Sequence, residues 1–199
     1  MLMFCGSILN SHGVKVNTTK EYIFQRKVKF LGVAIDGENV YVTQKWSEAI
    51  MRLPVPHNAD ELRVTMGVFG CNRKFIKDYS KKSYPLQSLQ KEGVPFVWGP
   101  EQQVAFDTLK HDLSGPPALR LYNPKLNNRV CTDASYRGLG VSIYQQDPET
   151  KRYHPVAFDS RKLKPSETAL PVYYLECAAI VLALVKFRCY LQNRNVETC

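Results

Sequence analysis

From residue 28 to 43 the chain reads VKFLGVAIDGENVYVT, with apolar and polar positions alternating on both sides of DGEN. Period-two alternation around an Asp-Gly turn signal predicts a β-hairpin. The period then lengthens. QKWSEAIMRLPVP reads as a short amphipathic helix stopped by Pro54 and Pro56, and HNADELRVTMGVFGCNRKFI as a second, capped by Asn58 with Glu61 three residues on. A third helix, PEQQVAFDTLKHDLS, takes Pro100 into its first turn and ends before GPP. The middle of the chain is therefore expected to be small helices joined by proline-rich loops.

The pattern changes near residue 128. RVCTDAS reads as a short strand ending in polar residues, and GLGVSIYQQ places Leu139, Val141 and Ile143 on one face at period two. HPVAFDS is a third strand, and SETALPVYYLECAAIVLALVKFRCYL is a long helix with Ser166 as its expected cap. Along it Val172, Leu175, Ala179, Leu182, Val185 and Cys189 recur at spacings of three and four, which predicts a core-facing stripe. The closing NVETC can open a further strand. The last third thus reads β-β-β-α, with no internal repeat and no low-complexity segment.

Composition adds class and partner. With 199 residues and 44% hydrophobic content the chain can bury a core as one large domain or two small ones. Its net charge of +9 includes the run RKFIKDYSKK and favours an anionic partner, nucleic acid ahead of membrane. The six cysteines show no CxxC and no histidines at zinc spacing, which points to reduced thiols in an intracellular compartment. MLMFCGSILNSHG lacks a basic start and a full apolar stretch, so it is a poor signal peptide. The apolar run from Leu175 falls well short of the roughly 20 residues that a membrane-spanning helix needs.

One carboxylate, Glu176, stands inside that apolar run, and Asp133 stands at the end of the first of the three strands. Taken singly, Asp133 reads as a turn aspartate and Glu176 as an acid favoured by its helix dipole. Taken together they form a candidate carboxylate pair, because a helix packed on the sheet carries its first turns toward a strand end. Hard cations such as Mg²⁺ take oxygen ligands of this kind. Two-metal phosphoryl hydrolysis uses more of them, so residue chemistry alone stops at a pair.

Beyond this point the chain resembles the reverse transcriptase and ribonuclease H part of the polyprotein of gypsy-like long-terminal-repeat retrotransposons. The resemblance rests, in the family's order, on HGVKVN, VKFLG, EAIMRLPVP, ELRVTMGVFGCNRKFIKDYS, PLQSLQKEG, FVWGPEQQVAFDTLKHDL, PALRLYNP, TDASYRGLGVSIYQQ, HPVAFDSRKL and LECAAIVLALVKFRCYL. It implies an α/β (α+β) fold: a β-hairpin and a small helical thumb, followed by a truncated RNase H-like β-β-β-α unit. Residues 1–40 would end the polymerase palm, 41–95 would be thumb and connection helices, and 96–199 a partial RNase H-like domain.

The same resemblance assigns residues. Phe30, Leu31 and Gly32 match the hairpin that grips the primer end. Arg63, Gly67 and Cys71, four apart on one helix face, would lie along the template-primer minor groove, followed by Arg73 and Lys74. The family usually carries an aromatic pair where this chain has Cys71 and Asn72. TDAS places the first catalytic, metal-binding aspartate at Asp133. LECAAIV places the glutamate at Glu176, since the position two residues earlier, often a second acid, is Tyr174 here. Two Mg²⁺ ions would polarise a phosphate and activate water to cut the RNA strand of an RNA/DNA hybrid. The paired polymerase aspartates would precede Met1 and the third RNase H aspartate would follow NVETC. Both sites are therefore expected to be incomplete, with the central strand edge open and an apolar face partly uncovered. Three readings stay open: a retroelement fragment inactive by itself, a non-catalytic nucleic-acid-binding module, and a pseudogene product without function.

Overall fold

The computed structural model describes residues 11–13, 25–30, 32–115 and 119–199. Its first sheet is an antiparallel meander of β1 (Lys27–Phe30), β2 (Val33–Asp36) and β3 (Asn39–Val42), closed by the two-residue β4 (Leu119–Arg120). The hairpin read from the DGEN stretch is β2 and β3, with Asp36 opposite Asn39. A second turn before Val33 adds β1. It is possible because Gly32 takes a φ of +80°, where L-residues are strained, and because the Trp46 ring occupies the space a side chain there would need.

Helices α1 (Gln44–Met51), α2 (Ala59–Cys71), α3 (Tyr79–Lys82), α4 (Tyr84–Ser88) and α5 (Pro100–Ser114) follow. The α2 cap is the one the sequence predicts: Asn58 Oδ1 accepts from the Glu61 backbone N–H at 2.9 Å, and Asn58 Nδ2 donates to Glu61 Oε1 at 3.0 Å. These helices share one core, in which Ile50, Leu62, Phe69, Leu86, Phe106 and Leu109 are fully buried. Phe69 and Phe106 meet edge to face, 5.9 Å between ring centres.

The second sheet has the order β7-β6-β5-β8, built from β5 (Asn128–Ser135), β6 (Gly138–Gln146), β7 (Tyr153–Arg161) and β8 (Val196–Thr198). Strands β5, β6 and β7 pair antiparallel, and β8 joins β5 in parallel. Helix α6 (Val172–Lys186), with the short α7 (Arg188–Leu191) after it, packs Leu175, Ala179, Leu182 and Ala183 against Val130, Leu139, Val141 and Ile143. The opposite face belongs to the helical core, which Phe158 of β7 joins. Ser160 Oγ there accepts from the backbone N–H of Ser80 at 3.0 Å and from its hydroxyl at 3.1 Å. The second sheet is thus a wall between two cores.

Three expectations are corrected. Ser166 does not cap the long helix: it lies in a separate 3-10 turn, Pro165–Glu167, and Pro171 immediately precedes α6. Val172, Val185 and Cys189 lie outside the buried stripe, and Ala183 belongs inside it. At about 100° per residue, Val185 falls roughly a quarter-turn from the centre of the buried arc, while Cys189 comes after the helix breaks at Phe187. The reduced-thiol expectation fails for one pair, since Cys131 and Cys199 form a disulfide with Cα atoms 5.0 Å apart. The parallel register of Val130 with Thr198 makes the next residue on each strand neighbours, a relation that their 68-residue separation hides in the sequence. Cys71, Cys177 and Cys189 are free and exposed.

The exposed side of α6 carries Val181 and Val185, 59% and 66% exposed, next to Ile180 and Leu184 at the cleft beside β5 and β8. Contiguous apolar surface of this sort drives association. The double variant Val181→Lys, Val185→Glu is expected to reduce self-association in sedimentation velocity with little change in the urea midpoint. Leu175→Ala, on the inward side, should cost about 2–5 kcal/mol in the same denaturation experiment.

Candidate functional site

Strand β5 alternates its side chains between the two cores. Val130 and Ala134 pack with α6, and Thr132 shares a cleft with Ile180 and Ala183 of that helix. Cys131, Asp133 and Ser135 therefore face the helical unit. Asp133 forms an ion pair with Lys81 of α3, in which the lysine side chain is only 19% exposed and the aspartate 54%. The docking of α3 is close: a side chain at position 140, directly across from Asp133, would meet the Asp78 carboxylate, which would have to swing aside.

Glu176 is half-buried on α6. Ile180, one turn later, lies beside Thr132, so Glu176 is carried to the end of β5 that holds Asp133. The two elements meet as the sequence predicts. Asp133, in register with Gly140, is held by Lys81 of α3. Among the described residues no group of three or more His, Cys, Asp or Glu side chains stands together to hold a metal ion. In this arrangement the residues do not fit a two-ion centre. An ammonium group takes the charge-neutralising place at Asp133 that a divalent cation would need.

The other expected contacts are spread along the helical unit. Leu31 lies outside the described residues, and Gly32 forms a turn against Trp46. Arg63, Gly67 and Cys71 share one exposed face of α2, as their spacing predicts, and nothing lies within 4 Å of where a Gly67 side chain would begin. Arg63 pairs with Asp60 at 2.6 Å within its own helix. Arg73 lies 3.9 Å from Asp159, and the Lys74 ammonium sits 5.2 Å from the centre of the Phe75 ring. Lys81 is the residue that sequence reasoning missed: it belonged to a basic run, and nothing in the run marks a partner 52 positions away.

Residues 98–198 match the family described as an RNase H-like domain found in reverse transcriptase. The chain belongs to this family. It is also 30% identical, over 93% of its length, to the transposon Tf2-3 and Tf2-4 polyproteins of Schizosaccharomyces pombe, and it spans 14% of the length of each. Solved structures of foamy viral protease-reverse transcriptase share the fold. The one in complex with an RNA/DNA hybrid has a TM-score of 0.75 at 20% identity, covering 99% of this chain and 27% of that one. A complex with dsDNA has a TM-score of 0.73 at 22% identity, covering 99% and 41%. The retrotransposon reverse transcriptase/RNase H-like assignment read from the sequence holds, as does the mixed α/β architecture.

The approach to α6 is fixed by Arg161 of β7, which donates from both terminal nitrogens to Glu167, at 2.6 and 2.7 Å. Those bonds, with a further one from the Lys164 backbone, lower the Glu167 carboxyl from 4.5 to about 2. A depressed carboxyl stabilises the fold above its ordinary pKa and loses that contribution as pH falls through the folded value. Glu167→Gln is therefore expected to destabilise the chain by about 1 kcal/mol at pH 7. In urea titrations the gap between variant and parent should close between pH 4.5 and 2.

Proposed function

We propose that this chain is the nucleic-acid-engaging portion of a retrotransposon reverse transcriptase, binding an RNA/DNA hybrid or template-primer duplex. In this reading residues 1–40 end the palm, 41–95 form thumb and connection helices, and 96–199 are the RNase H-like part. The α2 face of Arg63, Gly67 and Cys71, continued by Arg73 and Lys74, follows the minor groove, with Leu31 and Gly32 at the primer end. The observation that carries the reading is the family match, joined to a net charge of +9.

Binding through phosphates depends steeply on salt. Anisotropy of a fluorescein-labelled RNA/DNA hybrid titrated with the chain should show affinity falling by orders of magnitude between about 50 and 200 mM salt. Affinity that is absent at low salt, or flat with salt, contradicts the reading. With Asp133 held by Lys81, the same hybrid is expected to stay intact with Mg²⁺. Cleavage that disappears in Asp133→Asn would overturn that expectation.

Divalent-cation binding at Asp133 and Glu176, the ancestral chemistry of polarising a phosphate and activating water, requires Lys81 to release the aspartate. Lys81→Met keeps the length of the side chain and removes its charge. It is expected to tighten Mn²⁺ binding several-fold in calorimetry, and Lys81→Met with Asp133→Asn should lose the gain. An unchanged Mn²⁺ isotherm in Lys81→Met means that the lysine does not compete for the aspartate.

A further inference from the structure

A cleft of about 420 Å³ lies between the helical unit and the second sheet, with Tyr84 and Lys91 on one wall and Tyr136, Arg137, Lys162 and Thr168 on the other. No Asp or Glu lines it. Lys91, Arg137 and Lys162 take part in none of the ion pairs of the described residues. The Arg137 guanidinium instead lies 5.9 Å from the centre of the Tyr84 ring. Three cations converge on one concave space without a counter-ion, an arrangement that costs repulsion unless an anion enters.

We infer that this cleft is a phosphate-binding site, which seats a backbone phosphodiester of a nucleic acid strand among Lys91, Arg137 and Lys162. Tyr136, 59% exposed, and Tyr84 offer ring faces on which an adjoining base can stack. The mutual repulsion is visible at Lys162, whose ammonium is pushed below its ordinary pKa by burial first and by Lys91 second. An anion between the two would reverse the second effect. Arg137 also lines the neighbouring cleft with Lys81, Lys82 and Glu101, so this site adjoins the lysine that holds Asp133. A strand seated here is thereby directed toward the strand end where Asp133 stands.

The inference rests on the nucleic-acid reading above, and its test separates the two. The triple variant Lys91→Ala, Arg137→Ala, Lys162→Ala changes only exposed side chains, and circular dichroism checks its fold. With the labelled RNA/DNA hybrid, the slope of log affinity against log salt should become shallower by about 2 to 3, near 0.9 for each phosphate no longer neutralised. Arg73→Ala with Lys74→Ala serves as the comparator from the α2 side. If the parent chain binds and the triple variant keeps the parent slope, the cleft is not a phosphate site, while the nucleic-acid reading stands. If the parent chain binds no hybrid, that reading fails, and the cleft is judged by a second measurement. Millimolar inorganic phosphate should slow acetylation of Lys91 and Lys162 by acetic anhydride relative to Lys45, read by mass spectrometry. Equal acetylation with and without phosphate overturns the site.

Discussion

The sheet formed by β5, β6 and β7 is packed on both faces, and every placement near the candidate site depends on that constraint. Val130, Leu139, Val141 and Ile143 seat α6 on one side, while Phe158 and Ser160 on the other receive the core and the α3 backbone of the helical unit. Because a strand alternates its side chains, a wall with two dry faces has to assign each residue of β5 to one core or the other. Asp133 is assigned to the helical side. Its carboxylate meets Lys81 of α3.

This arrangement couples charge to packing. Ser80, next to Lys81, is fixed by two hydrogen bonds to Ser160, and Gly140 lets Asp78 approach the sheet directly across from Asp133. The lysine is delivered to the aspartate by a docked backbone, not by a free surface side chain. An ion pair held in this way loses less side-chain entropy on forming than an exposed pair does. The same docking opens the cleft in which Lys91, Arg137 and Lys162 converge, so the cations on this side of the sheet share one origin. The exposed face of α6, by contrast, carries the apolar Val181 and Val185.

Much of this was legible in the sequence because it is local. Period-two alternation located β2, β3 and β5 to β7, the Asn58 and Glu61 pair located the start of α2, and Pro100 the start of α5. The same patterning placed Asp133 on a strand end and Glu176 on the long helix. What stayed hidden was non-local. The ion-pair partner of Asp133 is 52 residues upstream. The pairing of Cys131 with Cys199 depends on the parallel register of a three-residue strand. The stripe along α6 was misread at Val185 because spacings of three and four drift round the helix, and at Cys189 because the helix ends before it.

The two faces of this wall are expected to do different work, with nucleic acid on the α3 and α4 side and none on the outer side of α6. Hydrogen exchange with and without a bound RNA/DNA hybrid measures that division directly. Slowed exchange from Tyr79 to Lys91 and around Arg137, with the Val181–Lys186 turn unchanged, is the predicted result; slowed exchange confined to α6 would contradict it.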